Sequence, residues 1–251
     1  MLYYICLIEI LFITLHPNSR IAPRSTGTDM NTLLNGSLHG EEATSPNAEV
    51  ALDIIPEAKS SKTGVSVRYV ESSEKMWYVF RASYNREVKA ADDLIESAVY
   101  AYVPQKYEMV ERDGKRKKIL KSLIPNIVFA YMDAPSAHEL VKDNAILSFY
   151  YNHFEANEFG RNLPLMIAKK DMLNFIRATS SKSSHLRNVI PGKCRYLDDS
   201  KVEVIKGDYK GVTGRLARIA GQQCIVVSLA NGEFQISTDY IPTPFLRVIE
   251  S

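Results

Sequence analysis

Five short β-rich runs crowd into the last fifty or so residues, and no other feature constrains the fold as tightly. They are "KVEVI", "GVTGRLARI", "QCIVVSL", "EFQIS" and "FLRVI", divided at close intervals by turn residues. Strands this short bury a core together only by curling into a small barrel. Their β-branched content and frequent glycines favour strands over a helical hairpin. Gly207, Gly211 and Gly214 fall within eight positions, a density that also occurs in phosphate-binding loops. Such a loop needs a strand before it, a helix after it and a closing Lys-Ser or Lys-Thr pair. Here another β-rich run follows Gly214 and no such pair is present. The three glycines therefore read as turn and bulge positions that supply positive φ or close backbone approach. No nucleotide cradle is expected.

Ahead of these runs the pattern is mixed. Met76 to Arg81, within "KMWYVFRAS", reads as a buried strand. Asn85 is placed to cap a helix whose Val88, Ala91, Leu94, Ile95 and Ala98 form one apolar stripe. Tyr107 to Arg112 and Lys117 to Leu123 flank Asp113-Gly114, a strong hairpin signal. Ile127 to Tyr131 is a further strand, and "SAHELVKD" and "KKDMLNFIRAT" are helical. This order predicts the α+β class, with one sheet and helices against it. The domain spans 76–180, a polar linker follows over 181–198, and the barrel occupies 199–251.

Residues 1–75 are expected to form a disordered leader, because no period survives between 16 and 74 and four prolines interrupt it. The first fifteen residues are mostly apolar but too short to span a bilayer, and Glu9 interrupts them. They also lack the basic residues that open a signal peptide. Two readings remain: export, or a start codon placed too early, with Met30 or a later position as the true start.

The net charge of +2 conceals an uneven distribution. Residues 77–190 carry 17 basic and 13 acidic residues, whereas 198–251 carry 6 and 7. A basic middle block is compatible with a nucleic-acid partner. Cys6, Cys194 and Cys224 form no CxxC pair, so neither a zinc site nor a disulfide framework is expected. The five histidines lack partners at ligand spacing, and no nucleophile motif occurs. The chain reads as a protein without catalytic residues, cofactor or metal.

Residues 201–250 resemble a KOW domain, an SH3-like β-barrel, through Val202-Glu203-Val204, Gly207, Tyr209-Lys210-Gly211, Gly214-Arg215-Leu216, Gly221 and "YIPTPFLRVIE". "WYVFRASYNREVKAADDL" and "GKRKKILKSLIPNIVFAYM" resemble the N-terminal (NGN) domain of NusG-type elongation factors. Pro125-Asn126-Ile127 is similar to the strand entry of RfaH-like and UpxY-like antiterminators, where NusG usually has Pro-Gly-Tyr. "SFYYNHFEANEFGRNLPLMI" and "DMLNFIRATS" resemble the UpxY-like branch. The resemblance covers about 77–251 and leaves 1–75 unexplained.

What the resemblance implies is a bacterial transcription elongation and antitermination factor. It would bind RNA polymerase, suppress pausing or termination, and serve a surface polysaccharide operon. Tyr78, Leu123, Ile124, Pro125, Ile127 and Phe129 would grip the polymerase clamp, although strand alternation requires some of them to be core. Ile127 stands where tyrosine is common, so any contact there is apolar. Arg86 and Lys89, at the start of the first helix, would face the non-template DNA strand, or else form a solvated helix face. Arg116, Lys117 and Lys118 belong to "RDGKRKKILK", six basic residues in ten positions. That run would meet nucleic acid or an acidic polymerase surface, or simply be a solvated turn. The barrel would reach a ribosomal protein or Rho. A cytoplasmic monomer without membrane contact is expected. The alternative is a ribosome-associated or general RNA-binding KOW protein, which calls for a basic barrel, yet 198–251 is net negative.

Overall fold

A computed structural model describes residues 55–112, 114–181, 186–190 and 194–250. The chain divides into two units, Met1–Thr44 and Ser45–Ser251, and every described residue belongs to the second. The part of the expected leader up to residue 54 lies outside the described residues, but the rest of it is ordered. Strands β1 (Ala58–Lys59) and β2 (Ser66–Val67) form a small antiparallel hairpin. Ser61 donates its backbone N–H and its hydroxyl to the two oxygens of Asp92, at 2.7 and 2.5 Å. Lys62 pairs with Asp93 at 2.7 Å, and Tyr100 donates its hydroxyl to the Pro56 carbonyl at 2.6 Å. Farther on, Tyr69 stacks on Trp77 with ring centroids 5.9 Å apart. The disorder expected of the leader is thus corrected for 55–75: its order comes from distant partners rather than from its own periodicity. Removing residues 1–70 is expected to cost about 3 kcal/mol of stability relative to a chain beginning at 55. Equal urea midpoints for the two truncations would refute that.

The central sheet begins with β3 (Met76–Ala82), as the aromatic and β-branched run predicts. Then come helix α1 (Glu87–Glu96), β4 (Tyr100–Tyr102), the paired strands β5 (Gln105–Arg112) and β6 (Lys115–Ser122), and β7 (Ile127–Met132). Helix α2 (Ala134–Asp143), β8 (Leu147–Phe149), β9 (Tyr151–Ala156), β10 (Asn162–Pro164), β11 (Met166–Ile167) and α3 (Lys169–Thr179) complete this part. The antiparallel sheet has the order β11-β3-β7-β4, with β8 also paired to β3. Every residue of β7 is buried, so both faces of the sheet are covered. Register places Trp77, Val79 and Arg81 beside Tyr131, Phe129 and Ile127 on one face. Tyr69, Tyr100 and Tyr131 close around Trp77 there. On the other face Tyr78, Phe80 and Phe149 pack together, with His138 of α2 set edge-on to Phe149.

Helix α1 buries Ala90, Ala91, Leu94 and Ile95 and packs against β4 and β7. Asn85 does not cap it: Arg86 is the N-cap residue and no side chain completes the cap. Asn85 instead has φ of 54°, and its N–H donates to Asn126 Oδ1 at 2.9 Å. Helix α2 is capped by Asp133, which accepts from the Ser136 N–H and hydroxyl at 3.0 Å each. Those two bonds hold its carboxyl below the usual range.

The C-terminal part comprises β12 (Arg187–Asn188), β13 (Arg195–Val204), β14 (Thr213–Ile219), β15 (Gln222–Leu229), β16 (Phe234–Ser237) and β17 (Leu246–Glu250). They form one antiparallel sheet of order β12-β16-β15-β14-β13-β17. All five expected runs are strands. The expected linker is shorter than 181–198, because β12 pairs with β16 and β13 starts at Arg195. Gly207 and Gly211 have φ of 84° and 81°, in the left-handed region. Gly214 serves differently: a Cβ there would lie 2.5 Å from the Val226 carbonyl oxygen and nearer still to Ile225 Cγ2.

Candidate functional site

The strand entry before β7 is a fixed turn. Asn126 has φ of 62°, and its carbonyl accepts from the Ala82 N–H at 2.9 Å. The Leu123 N–H donates to the Pro104 carbonyl at 2.8 Å. Of the six apolar residues expected to form a binding patch, Leu123, Ile124, Ile127, Phe129 and Tyr78 are buried, and Pro125 is exposed. Tyr78 lies on the opposite face of the sheet from Ile127 and Phe129.

Helix α3 and the C-terminal sheet together cover Phe129. Its ring lies 5.7 Å from Phe175 of α3 and 5.8 Å from Phe234 of β16. Phe234 also meets Tyr150 at 5.3 Å, and the Tyr150 hydroxyl donates to Glu233 Oε1. Helix α3 completes the seam. Asn174 Nδ2 donates to the Thr213 carbonyl, and the Thr213 N–H donates to Asn174 Oδ1, both at 2.8 Å. Arg177 Nη1 donates to the Gly211 carbonyl at 2.8 Å. Beside the covered patch a cleft of about 280 Å³ opens between Arg81, Ile124, Ile127, Tyr150, Val189 and Glu233.

Burial, and then the hydrogen bond to Glu233, push the Tyr150 phenol up to about 12 from its ordinary 10.0. A raised phenol contributes its full stabilisation below its unfolded pKa and loses it as pH climbs through the folded one. The seam is therefore expected to weaken between about pH 10 and 12. Near-UV circular dichroism of the wild type minus that of Tyr150→Phe should change in that window. A flat difference would remove Tyr150 from the seam.

The basic candidates fall on two elements. Arg86 and Lys89 are exposed at the start of α1, and the Arg86 guanidinium lies 5.8 Å from the Tyr84 ring centroid. Tyr84 is 85% exposed and holds φ of 58°, an uncommon backbone state for a bulky residue. Arg116, Lys117 and Lys118 are exposed on β6, and the register sends Lys117 to the face opposite Arg116 and Lys118. The sequence reading missed Tyr84 and the seam residues Tyr150, Phe175 and Phe234. A positive φ leaves no local mark on a tyrosine, and the seam joins residues from 34 to more than 80 positions apart. Among the described residues no group of three His, Cys, Asp or Glu side chains could hold a metal ion. No described helix is long and apolar enough to cross a membrane.

No curated protein matches the chain. The family model described as transcription termination factor nusG matches residues 75–159, from β3 through β9. Strands β3, β4, β7 and β8 of the central sheet, the turn at Asn126 and the basic hairpin lie within that match, and this part of the chain is similar to the NusG family.

Proposed function

We propose that the protein is a transcription elongation and antitermination factor that binds RNA polymerase, and makes or breaks no bond itself. The observation that carries this reading is the NusG match over 75–159, which contains the apolar patch and all five basic candidates. In the proposed mechanism Leu123, Ile124, Pro125, Ile127 and Phe129 meet the clamp. Arg86 and Lys89 meet the phosphates of the non-template strand. The C-terminal sheet acts as a KOW-type barrel that reaches a ribosomal protein or Rho, and the protein works in the cytoplasm. The resemblance to the UpxY-like branch supports a surface polysaccharide operon as its target.

Binding of this kind biases the polymerase toward its active conformation through differential affinity alone. Phe234 covers Phe129, so Phe129 becomes available to the clamp only when the C-terminal sheet lifts away. Apparent affinity then falls in proportion to the open fraction. Phe234→Ala in the full-length chain is expected to raise polymerase capture by about fivefold or more. Run-off transcription on a pausing template should show a matching rise in read-through. Absence of capture by both wild type and Phe234→Ala would sink the proposed function. Capture equal in the two proteins would sink only the requirement for opening.

A further inference from the structure

Among the described residues strands β5 and β6 pair only with each other, so their hairpin stands apart from both larger sheets. Residues 105–122 hold seven basic residues and three acidic ones. The register divides the side chains into two unlike faces. On one, Tyr107, Met109 and Glu111 stand opposite Leu120, Lys118 and Arg116. On the other, Lys106, Glu108 and Val110 stand opposite Lys121, Ile119 and Lys117. The first face carries three uncovered apolar side chains beside its charges: Tyr107 is 53% exposed, Met109 60% and Leu120 49%. Lys118 Nζ lies 4.2 Å from the centroid of the Tyr107 ring.

A solvated turn accounts for the cations but not for a row of tyrosine, methionine and leucine in water. An isolated two-stranded hairpin already has little stability to spare, so exposed apolar area needs a partner. The surplus positive charge requires that partner to be anionic, and the flat apolar row requires it to present planar faces. Single-stranded nucleic acid meets both demands, because its bases are open to stacking and its phosphates are within reach of lysines. A duplex keeps its base faces inside. We propose that this hairpin is a stacking platform for single-stranded nucleic acid, with Tyr107 and Met109 against bases and Lys118 completing a cation–ring–base sandwich. Arg116, on the same face as Tyr107 and Met109, holds a flanking phosphate. The inference rests on reading the basic hairpin as a nucleic-acid contact.

The test uses full-length protein and fluorescence anisotropy with a labelled oligothymidine and a mixed-sequence duplex of equal length. Tighter binding of the single strand is expected. Tyr107→Ala should weaken that binding by about tenfold without changing its salt dependence, and Tyr107→Phe, which keeps the ring, should retain it. Arg116→Gln should lower the slope of log affinity against log salt by about 0.7. Thermal melts of all variants should match the wild type, since these positions are exposed. If Arg116→Gln acts but Tyr107→Ala and Met109→Ala bind normally, the stacking platform is overturned while the electrostatic contact stands. Equal affinity for duplex and single strand overturns the platform too. If no hairpin variant changes binding, the nucleic-acid reading of this element fails as well, and an acidic protein surface takes its place.

Discussion

Leu123→Asp combined with Ile127→Asp is expected to unfold the central sheet, not to silence a surface. Both side chains are buried, one before the Asn126 turn and one at the first position of β7. A buried carboxylate without a partner costs several kcal/mol, and two of them rival the roughly 5–15 kcal/mol that holds a domain together. The double variant should lose near-UV circular dichroism and cooperative melting. It should also fail to capture polymerase, but for a structural reason. A double variant that melts like the wild type would mean that both positions face solvent in solution. For that reason Phe234→Ala, which opens the patch without placing charge in the core, is the cleaner probe of polymerase contact.

Gly214→Ala is expected to be the most damaging of the glycine substitutions. Gly214 lies in β14, opposite Val202 of β13 and next to the Arg215–Val226 pair that joins β15. The added methyl would meet the Val226 carbonyl and Ile225 Cγ2, and a ladder carbonyl cannot move without breaking its pairing. Overpacking against backbone should cost about 3 kcal/mol. At Gly207 the nearest neighbour of an added Cβ is the Phe245 ring at 3.4 Å, so Gly207→Ala is left with the left-handed φ, about 1–2 kcal/mol. Urea midpoints of the two variants settle the ranking. A Gly214→Ala protein as stable as Gly207→Ala would show that β14 and β15 separate more easily than their register implies.

Where the chain carries a period, its elements were legible. "KKDMLNFIRAT" coincides with α3 because Met172, Phe175 and Ile176 recur on one face, and the five C-terminal runs are strands. Asn85 misled because an asparagine before an apolar stripe usually caps, whereas here Asn126 takes its N–H across 41 positions. The fold of 55–75 left no trace in its own residues, since Asp92 and Tyr131 supply its order from 31 and 59 positions away. The patch suffered from the same limit. Alternation implies that half of β7 faces outward, but α3 and Phe234 cover the face that would otherwise be open. The basic hairpin was legible as charge; only the register gathers Tyr107, Met109 and Leu120 onto one face.

Helix α3 grips its neighbour in an asymmetric way. Asn174 and Arg177 contribute side chains, whereas Thr213 and Gly211 answer with main-chain N–H and C=O groups alone. Peptide groups are the same whatever residue bears them, so these three bonds do not read the identity of the strand they hold. The side-chain chemistry at 213 is thereby released to vary. What the grip does require is the backbone path, set by the left-handed turn at Gly211 and the close approach at Gly214. A chimaera that grafts a foreign C-terminal sheet onto this N-terminal part should dock through α3 if those two glycines keep their spacing. The same graft should lose that grip if either is replaced by a bulkier residue. The modularity of the molecule is written in main-chain geometry, and its specificity must reside elsewhere, at Phe234 and Glu233.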